Sequence, residues 1–422
     1  MTTTHGRPTV VVVGAGFGGL AAVRELDGAP VDVVLVDRRN HHTFLPLLYQ
    51  VATAGLNPAD VAHPVRGIVS SQRNVTVRLG EVTGVDWTGR EVLLDGQSAL
   101  AFDHLIVAAG STANFFGIPG AAEHGYPLYA LDDATALRNH VLERFEAADA
   151  GRAPLDDGAL TVVVAGGGPT GVEVAGALAE LFSQVLRKDF GELEVARARV
   201  VLVEMADSLL VNFSEASRWH ALDALRARGV EVRLGEAVER VTATRVTLTS
   251  GAQLPAHTLV WAAGVSASSL AGQLGAPVGR GGRIDVGADL TIPGRADAYA
   301  IGDVANIPGA DGPLPQLAPV AQQSGRHAAR QILRRIDGRP TRPMRYRDKG
   351  IMATIGRRAA VAELPLGIRL SGTVAWFAWL GLHLMTLVGF RNRLSVFLNW
   401  AWNYLTWDRG PRLIFGRDRP SN

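Results

Sequence analysis

The chain has no cysteine at any of its 422 positions. That absence excludes disulfides, thiolate metal sites, iron–sulfur clusters and every mechanism built on a redox-active thiol pair. Net charge is small as well: 42 basic against 40 acidic residues leave +2, too little to argue for a nucleic-acid partner. Lysine is almost missing, with Lys188 and Lys349 its only occurrences, so the basic side is nearly all arginine and gathers after about residue 326. Such a bias suits either an anionic lipid surface or an ordinary solvated face. No basic segment precedes the first apolar run, which therefore reads as a strand rather than a secretory leader, and the folded domains are expected in the cytoplasm. The length allows two or three domains, each with its own core.

Glycine is abundant, at 48 residues, and it is patterned. Val10 to Gly19 reads VVVVGAGFGG. Four valines suit a strand buried on both faces of a parallel sheet. The turn Gly14-Ala15-Gly16-Phe17-Gly18-Gly19 follows, and Leu20 to Leu26 reads as a helix. In such a turn Gly14 permits the tight bend, Gly16 lets backbone approach a pyrophosphate, and Gly19 lets helix and strand pack closely. The helix N-terminus adds free N–H groups and the positive dipole end. A second strand ends at Asp37, 23 positions beyond Gly14, about where a ribose-binding carboxylate belongs.

The pattern then repeats. Thr161 to Ala165 is a second strand, Gly166-Gly-Gly168-Pro-Thr170-Gly171 a second turn, and Val172 to Leu186 a helix; the following strand ends at Glu204. Both halves continue through alternating short strands into one device, LIVAAG at 105–110 and LVWAAG at 259–264. A helical stretch near Asp132 to Ala150 and the turn-rich GRAPLDDG at 151–158 mark a domain boundary between the halves. A strand at Ala298–Ile301 leads into Gly302 and Asp303, and a helix from about Ala318 to Ile336 follows. Phe44 to Leu56 is uncharged and carries Tyr49 and Gln50; it reads either as buried packing or as the lining of a flavin ring.

Paired glycine fingerprints, two AAG strand ends and a late IGD resemble the flavoproteins with two dinucleotide-binding domains. The stretches FLPLLYQVATAG (44–55), GGGPTGVEVAG (166–176), LAPVAQQSG (317–325), DKGIMATIGRRAAVAE (348–363) and the segment 383–415 resemble the type II NADH dehydrogenases, single-subunit NADH:quinone oxidoreductases that pump no protons. The resemblance spans nearly the whole chain. It implies an α/β fold with two Rossmann-like domains, FAD-binding in the outer segments 1–155 and 276–340 and NADH-binding in the inserted 156–275. A C-terminal region, 341–422, would associate with a membrane and with a second copy of the chain.

Carried over residue by residue, the resemblance assigns Gly14, Ala15, Gly16, Phe17, Gly18 and Gly19 to the FAD pyrophosphate, and Asp37 to its adenosine ribose. Arg38, Val82, Ala109, Gly110, Gly302, Asp303, Ala318 and Pro319 complete the FAD contacts. Gly166, Gly168, Thr170 and Gly171 are assigned to the NADH pyrophosphate, and Ala263 and Gly264 to backbone beside the nicotinamide. Glu204 would accept from the ribose 2′-hydroxyl and, with Asp207, repel a 2′-phosphate, so NADH is expected over NADPH. Glu173 reads as a carboxylate favourably placed near a helix start, or, on the resemblance, as a proton-relay or nicotinamide-positioning acid against the flavin. Lys349 reads as a surface lysine or as the family's cation near the flavin. The family's quinone motif A-Q-x-A-x-Q stands here as Ala318-Pro319-Val320-Ala321-Gln322-Gln323; Pro319 replaces the first glutamine and Gln323 keeps the last. That departure leaves headgroup identity open, with Gln316 or Gln322 as substitute partners.

At the C-terminus, Leu370 to Phe390 carries no charge but is interrupted by Gly, Trp376, Trp379 and His383. Phe397, Trp400, Tyr404 and Trp407 follow at helical spacing, with Arg391, Arg393 and Arg409 around them, and five of the eight tryptophans lie beyond residue 375. An amphipathic helix in the plane of a membrane interface fits this better than a spanning helix; a dimer interface is the other reading. The implied reaction is ping-pong: NADH delivers a hydride to FAD, and a membrane menaquinone or ubiquinone leaves as quinol. No metal is called for. Sulfide:quinone reductases and pyridine-nucleotide disulfide reductases are excluded by the missing cysteines. An NADH-dependent reductase of a soluble electron carrier, and an NAD(H)-sensing flavoprotein, stay open as alternatives. The expected location is the cytoplasmic face of the cell membrane, peripheral.

Overall fold

A computed structural model of the chain describes residues 6–191, 193, 195–406 and 410–416. It divides into two compact units, one formed by 1–42, 63–112 and 265–348, the other by 43–62, 113–264 and 349–422. Trp407 and Arg409 lie outside the described residues.

The first unit is built on a six-stranded sheet in the order Thr291–Ile292, Arg295–Ala300, His104–Val107, Thr9–Val13, Asp32–Asp37, Val75–Leu79. Five strands run parallel, and Thr291–Ile292 closes the edge antiparallel. The valine run sits at its centre, where Val10, Val11 and Val12 are completely buried, each contributing roughly 1.5–2 kcal/mol of hydrophobic stabilisation. The helices Phe17–Glu25 and Ala318–Ile336 pack together so closely that a Cβ on Gly325 would stand 2.2 Å from the Gly18 carbonyl oxygen.

The second unit repeats the plan. Its five-stranded parallel sheet runs Gly125–Pro127, Thr258–Trp261, Thr161–Ala165, Arg199–Glu204, Glu231–Leu234. Each unit also carries a three-stranded antiparallel meander, Val82–Asp86/Glu91–Leu94/Leu100–Ala101 in one and Val238–Thr242/Arg245–Leu248/Gln253–Pro255 in the other. The chain leaves the first unit at Thr112, ahead of the 151–158 linker, because the helix Leu131–Asp149 packs on strands of the second sheet. The second unit also holds an antiparallel sheet, Ile351–Gly356/Ala359–Leu364/Ile368–Ser371, followed by the helices Gly372–Thr386 and Phe390–Thr406.

These last two helices differ from the sequence expectation in which faces they bury. Trp376, Trp379 and Trp400 are core residues, and Trp402 is the exposed tryptophan among those described in this region. The outward surface is instead Val374, Phe377, Leu382 and Met385 on one helix, with Phe390, Leu394, Phe397, Leu398, Trp402 and Leu405 on the other. Helices apolar on most of their circumference do not reveal from spacing alone which stripe packs inward. Among the described residues no helix is long and apolar enough to cross a membrane.

Candidate active site

In the first unit Gly14 adopts φ +104°, and a Cβ there would lie 2.3 Å from the Ala108 carbonyl oxygen. Only glycine fits that conformation and that approach. Around Gly16 nothing comes within 4 Å of a built Cβ, so the backbone stays open to a ligand. The helix Phe17–Glu25 starts with no side-chain cap and no acid in its first turn, which leaves its leading N–H groups for an anion. Asp37 buttresses the turn: its carboxylate accepts from Ala15 N–H at 2.6 Å and from Arg39 N–H at 2.7 Å. Further along, the mostly buried Asp303 accepts from the Ser111 hydroxyl at 2.9 Å. Burial pushes its carboxyl upward, against the pull of that hydrogen bond and the Arg283 charge.

One contributor gave no sequence signal. His42 is buried, its Nδ1–H donates to the Ala15 carbonyl at 2.9 Å, and the Phe17 ring meets it edge-on at 5.0 Å. Burial lowers it to about 4, partly offset by that hydrogen bond, so it is neutral at pH 7. Arg38 makes a surface ion pair with Glu81 at 3.8 Å, and Val82 begins the adjacent meander. Ala318 and Pro319 open the helix Ala318–Ile336, where the missing proline N–H costs nothing. Gln316 donates to the Asp303 carbonyl at 3.1 Å. Gln323 bonds the Arg347 backbone with both ends of its amide, at 2.9 and 3.0 Å.

The second unit reproduces this turn. Gly166 also has φ +104°, with a built Cβ 2.5 Å from the Ala262 carbonyl oxygen. The helix Pro169–Glu180 begins at Gly168 without a side-chain cap. Glu204 occupies the place of Asp37, accepting from Gly167 N–H at 2.5 Å and Ala206 N–H at 2.8 Å, with Asp207 exposed close by. Thr170 lies in the first turn of the helix, and Ala263 and Gly264 follow the strand Thr258–Trp261.

The same helix carries a polar face into a cavity of about 50 Å³, room for a water or two. Glu173, Ala177 and Glu180 line it from the helix, Tyr49 and Gln50 from Leu48–Ala52, Thr354 from the strand Ile351–Gly356 and Arg357 from the turn after it, and Trp376, Trp400 and Tyr404 from the two C-terminal helices. Glu173 accepts from Thr354 N–H at 3.3 Å and from the Trp379 side chain. Desolvation outweighs both bonds and raises its carboxyl to about 8. Glu180 by contrast is paired, accepting from Arg357 N–H at 2.5 Å and from Arg228 Nε at 3.3 Å. Trp379 stacks on His383 with ring centroids 4.1 Å apart, and burial holds that imidazole down to about 4. Lys349 is exposed at the start of this segment. The 44–56 stretch is thus buried helix and cavity wall together.

Two uncapped glycine turns, each backed by a strand-end carboxylate, define a two-nucleotide oxidoreductase of the pyridine nucleotide–disulphide oxidoreductase class; the family model of that description matches residues 8–325, and a model described as NDH2 C-terminal domain matches 349–407. The chain belongs to the type II NADH:quinone oxidoreductase family. It is 38% identical over 423 residues to the type II NADH:quinone oxidoreductase Ndh of Mycobacterium tuberculosis, covering 97% of this chain and 90% of that one. With the demethylphylloquinone reductase NdbB of a Synechocystis strain it shares 31% identity over 411 residues, 94% of this chain and 96% of the relative. Its fold matches that of NDH2 from Plasmodium falciparum, solved in complex with NADH, with a TM-score of 0.89 at 19% identity, covering 97% and 100% of the two chains.

Proposed function

We infer that this chain oxidises NADH and reduces a quinone to quinol by two electrons, without translocating protons. The observation that carries the reading is the double use of the helix Pro169–Glu180. Its uncapped N-terminus is built for a pyrophosphate, and one turn further in, Glu173 holds a proton near neutral pH beside a cavity. A dinucleotide and a proton-accepting substrate are thereby served from one rigid element.

The first unit fits FAD. Its glycine cradle, its open helix N-terminus and the buried Asp303–Ser111 pair are the groups such a ligand would occupy. Bound there, FAD would supply the two-electron chemistry that no side chain of a cysteine-free protein can. Gly14 to Gly19 would hold its pyrophosphate and Asp37 the ribose. In the second unit Gly166, Gly168 and Gly171 would hold the pyrophosphate of NADH. Glu204 would accept from the ribose 2′-hydroxyl and, with Asp207, disfavour the 2′-phosphate of NADPH. Glu173, protonated at pH 7, is the acid that gives a proton to the reduced quinone and recovers it from water. Menaquinone and ubiquinone are both candidate acceptors.

The exposed apolar faces of Gly372–Thr386 and Phe390–Thr406, with Arg391 at their edge, would lie in the interface of an anionic membrane, placing the protein peripherally on the cytoplasmic face. A homodimer through part of the same region is compatible with that placement.

Anaerobic stopped-flow absorbance of the yellow holoprotein tests the reading. NADH is expected to bleach the flavin faster than NADPH, and a short-chain menaquinone or ubiquinone analogue to restore the colour within the turnover time. Bleaching followed by reoxidation with a soluble iron–sulfur carrier, and none by any quinone, would sink it.

A further inference from the structure

The cavity holds an ordered chain of side-chain hydrogen bonds whose direction the chemistry determines. Trp400 Nε1–H bonds Gln50 Oε1 at 2.7 Å, and Gln50 Nε2 bonds the Tyr49 hydroxyl at 2.9 Å; all three residues are buried. An indole N–H can only donate, so the amide oxygen of Gln50 must face Trp400 and its NH₂ must face Tyr49. The Tyr49 oxygen therefore accepts, and its own proton is left over. Among the described residues that hydroxyl donates to none, although it lines the cavity alongside Glu173. A buried O–H with no acceptor is costly, on the order of 1–3 kcal/mol, unless a guest in the cavity accepts from it.

We propose that the Tyr49 hydroxyl is the hydrogen-bond donor to a carbonyl oxygen of the quinone, with Gln50 and Trp400 as positioning residues that aim it. This rests on the quinone reading above and adds the residue that recognises the headgroup. A space of about 50 Å³ admits the leading carbonyl edge of a ring rather than the ring itself, which suits a donor at its wall. The charged and titratable groups around Tyr49 are Glu173 and Glu180 on Pro169–Glu180, Arg357 after the antiparallel strand, and Tyr404 on Phe390–Thr406. Burial first, and the acidic neighbours second, keep Tyr49 protonated at any working pH. Tyr49 is thus a donor throughout, while Glu173 is the group that gives up a proton.

Two substitutions test donor and direction separately in the holoprotein. Tyr49→Phe removes the hydroxyl. Gln50→Glu keeps the bond from Trp400 but replaces the NH₂ donor by an acceptor, which draws the Tyr49 proton away from the cavity. Both variants are expected to raise KM for a short-chain quinone about tenfold. Flavin reduction by NADH, flavin content and turnover with ferricyanide, which has no carbonyl to recognise, should stay at the wild-type level. A quinone KM within twofold of wild type in either variant, or an equal loss with ferricyanide, overturns the proposal. Wild-type protein that fails to reduce any quinone would instead overturn the functional reading on which it rests.

Discussion

Gly14 and Gly166 share one backbone conformation, φ +104° in both, and each would drive a Cβ into the carbonyl oxygen of the strand beside it, Ala108 in one unit and Ala262 in the other. The match extends to their supports. Gly14 N–H donates to Val36 O at 2.7 Å and Gly166 N–H to Val203 O at 2.9 Å, each the residue just before the carboxylate that braces the turn. Asp37 and Glu204 thus do the same mechanical task before any ribose is considered. The longer Glu204 side chain reaches Gly167 N–H, where Asp37 reaches Ala15 N–H.

That double duty shapes what happens when Glu204 is changed. Glu204→Ser removes the negative charge that the proposed function sets against a 2′-phosphate, and with it two backbone hydrogen bonds, at 2.5 and 2.8 Å. The NADPH-to-NADH ratio of kcat/KM should rise at least tenfold, while kcat/KM for NADH falls by a similar factor, about 1.4 kcal/mol each way. Initial-rate kinetics with the two nucleotides checks it; an unchanged ratio would show that the carboxylate only braces the turn.

Both turns were legible in the sequence because every part of them is local: a buried valine run, glycines at fixed spacing, and a helix starting without a cap. The cavity was not. Tyr49, Glu173, Thr354 and Trp400 lie far apart in the chain, and only tertiary packing brings them together. Nor could spacing decide that Trp400 faces inward while Trp402 faces water, since both sit in an aromatic-rich helix. The division of the chain was equally hidden. Residues 43–62 join the second unit through bonds such as Asn399 and Ser395 to Asp60, 3.0 and 2.7 Å, across more than three hundred positions.

His42 is expected to matter to the first turn without touching any reaction. His42→Ala deletes the bond to Ala15 O and leaves a void beside Phe17. A loss of about 2–3 kcal/mol is expected, read as a Tm lower by several degrees and as protein purified with less flavin. Thermal denaturation and the visible absorbance ratio check this; wild-type Tm and full flavin content would show that the ring contributes little.

The outward faces of the C-terminal helices give a membrane prediction that leaves the fold alone. Phe397 and Trp402 are 53% and 60% exposed, so Phe397→Glu with Trp402→Glu should cost little stability. Partition onto anionic phospholipid vesicles should fall tenfold or more, while turnover of a water-soluble quinone stays within twofold. Vesicle sedimentation reads the first and NADH consumption the second. Pelleting equal to wild type would remove these helices from the membrane contact.

The proposed role of Glu173 gives a prediction that couples stability to turnover. Its carboxyl sits at about 8 in the folded protein, raised mainly by desolvation, against 4.5 for an ordinary exposed glutamate. A raised folded value means that the fold prefers the neutral acid. The contribution is therefore complete below pH 4.5 and is lost progressively as pH rises to 8, where the unfolded chain gains the charge freely and the folded one does not. Glu173→Gln keeps the shape and removes the titration. The variant should match wild type in Tm near pH 4.5 and exceed it by several degrees at pH 8, a stability difference on the order of a few kcal/mol. Turnover should run the other way. Wild-type reoxidation by quinone should fall as pH climbs through 8, whereas the variant should be slow and flat across pH 6–9, with NADH-driven bleaching unchanged. Thermal melts and stopped-flow traces at matched pH values measure both. A wild-type Tm difference that does not open between pH 4.5 and 8 would place the Glu173 carboxylate in contact with water, and a variant that keeps the wild-type pH profile would move the proton donor elsewhere.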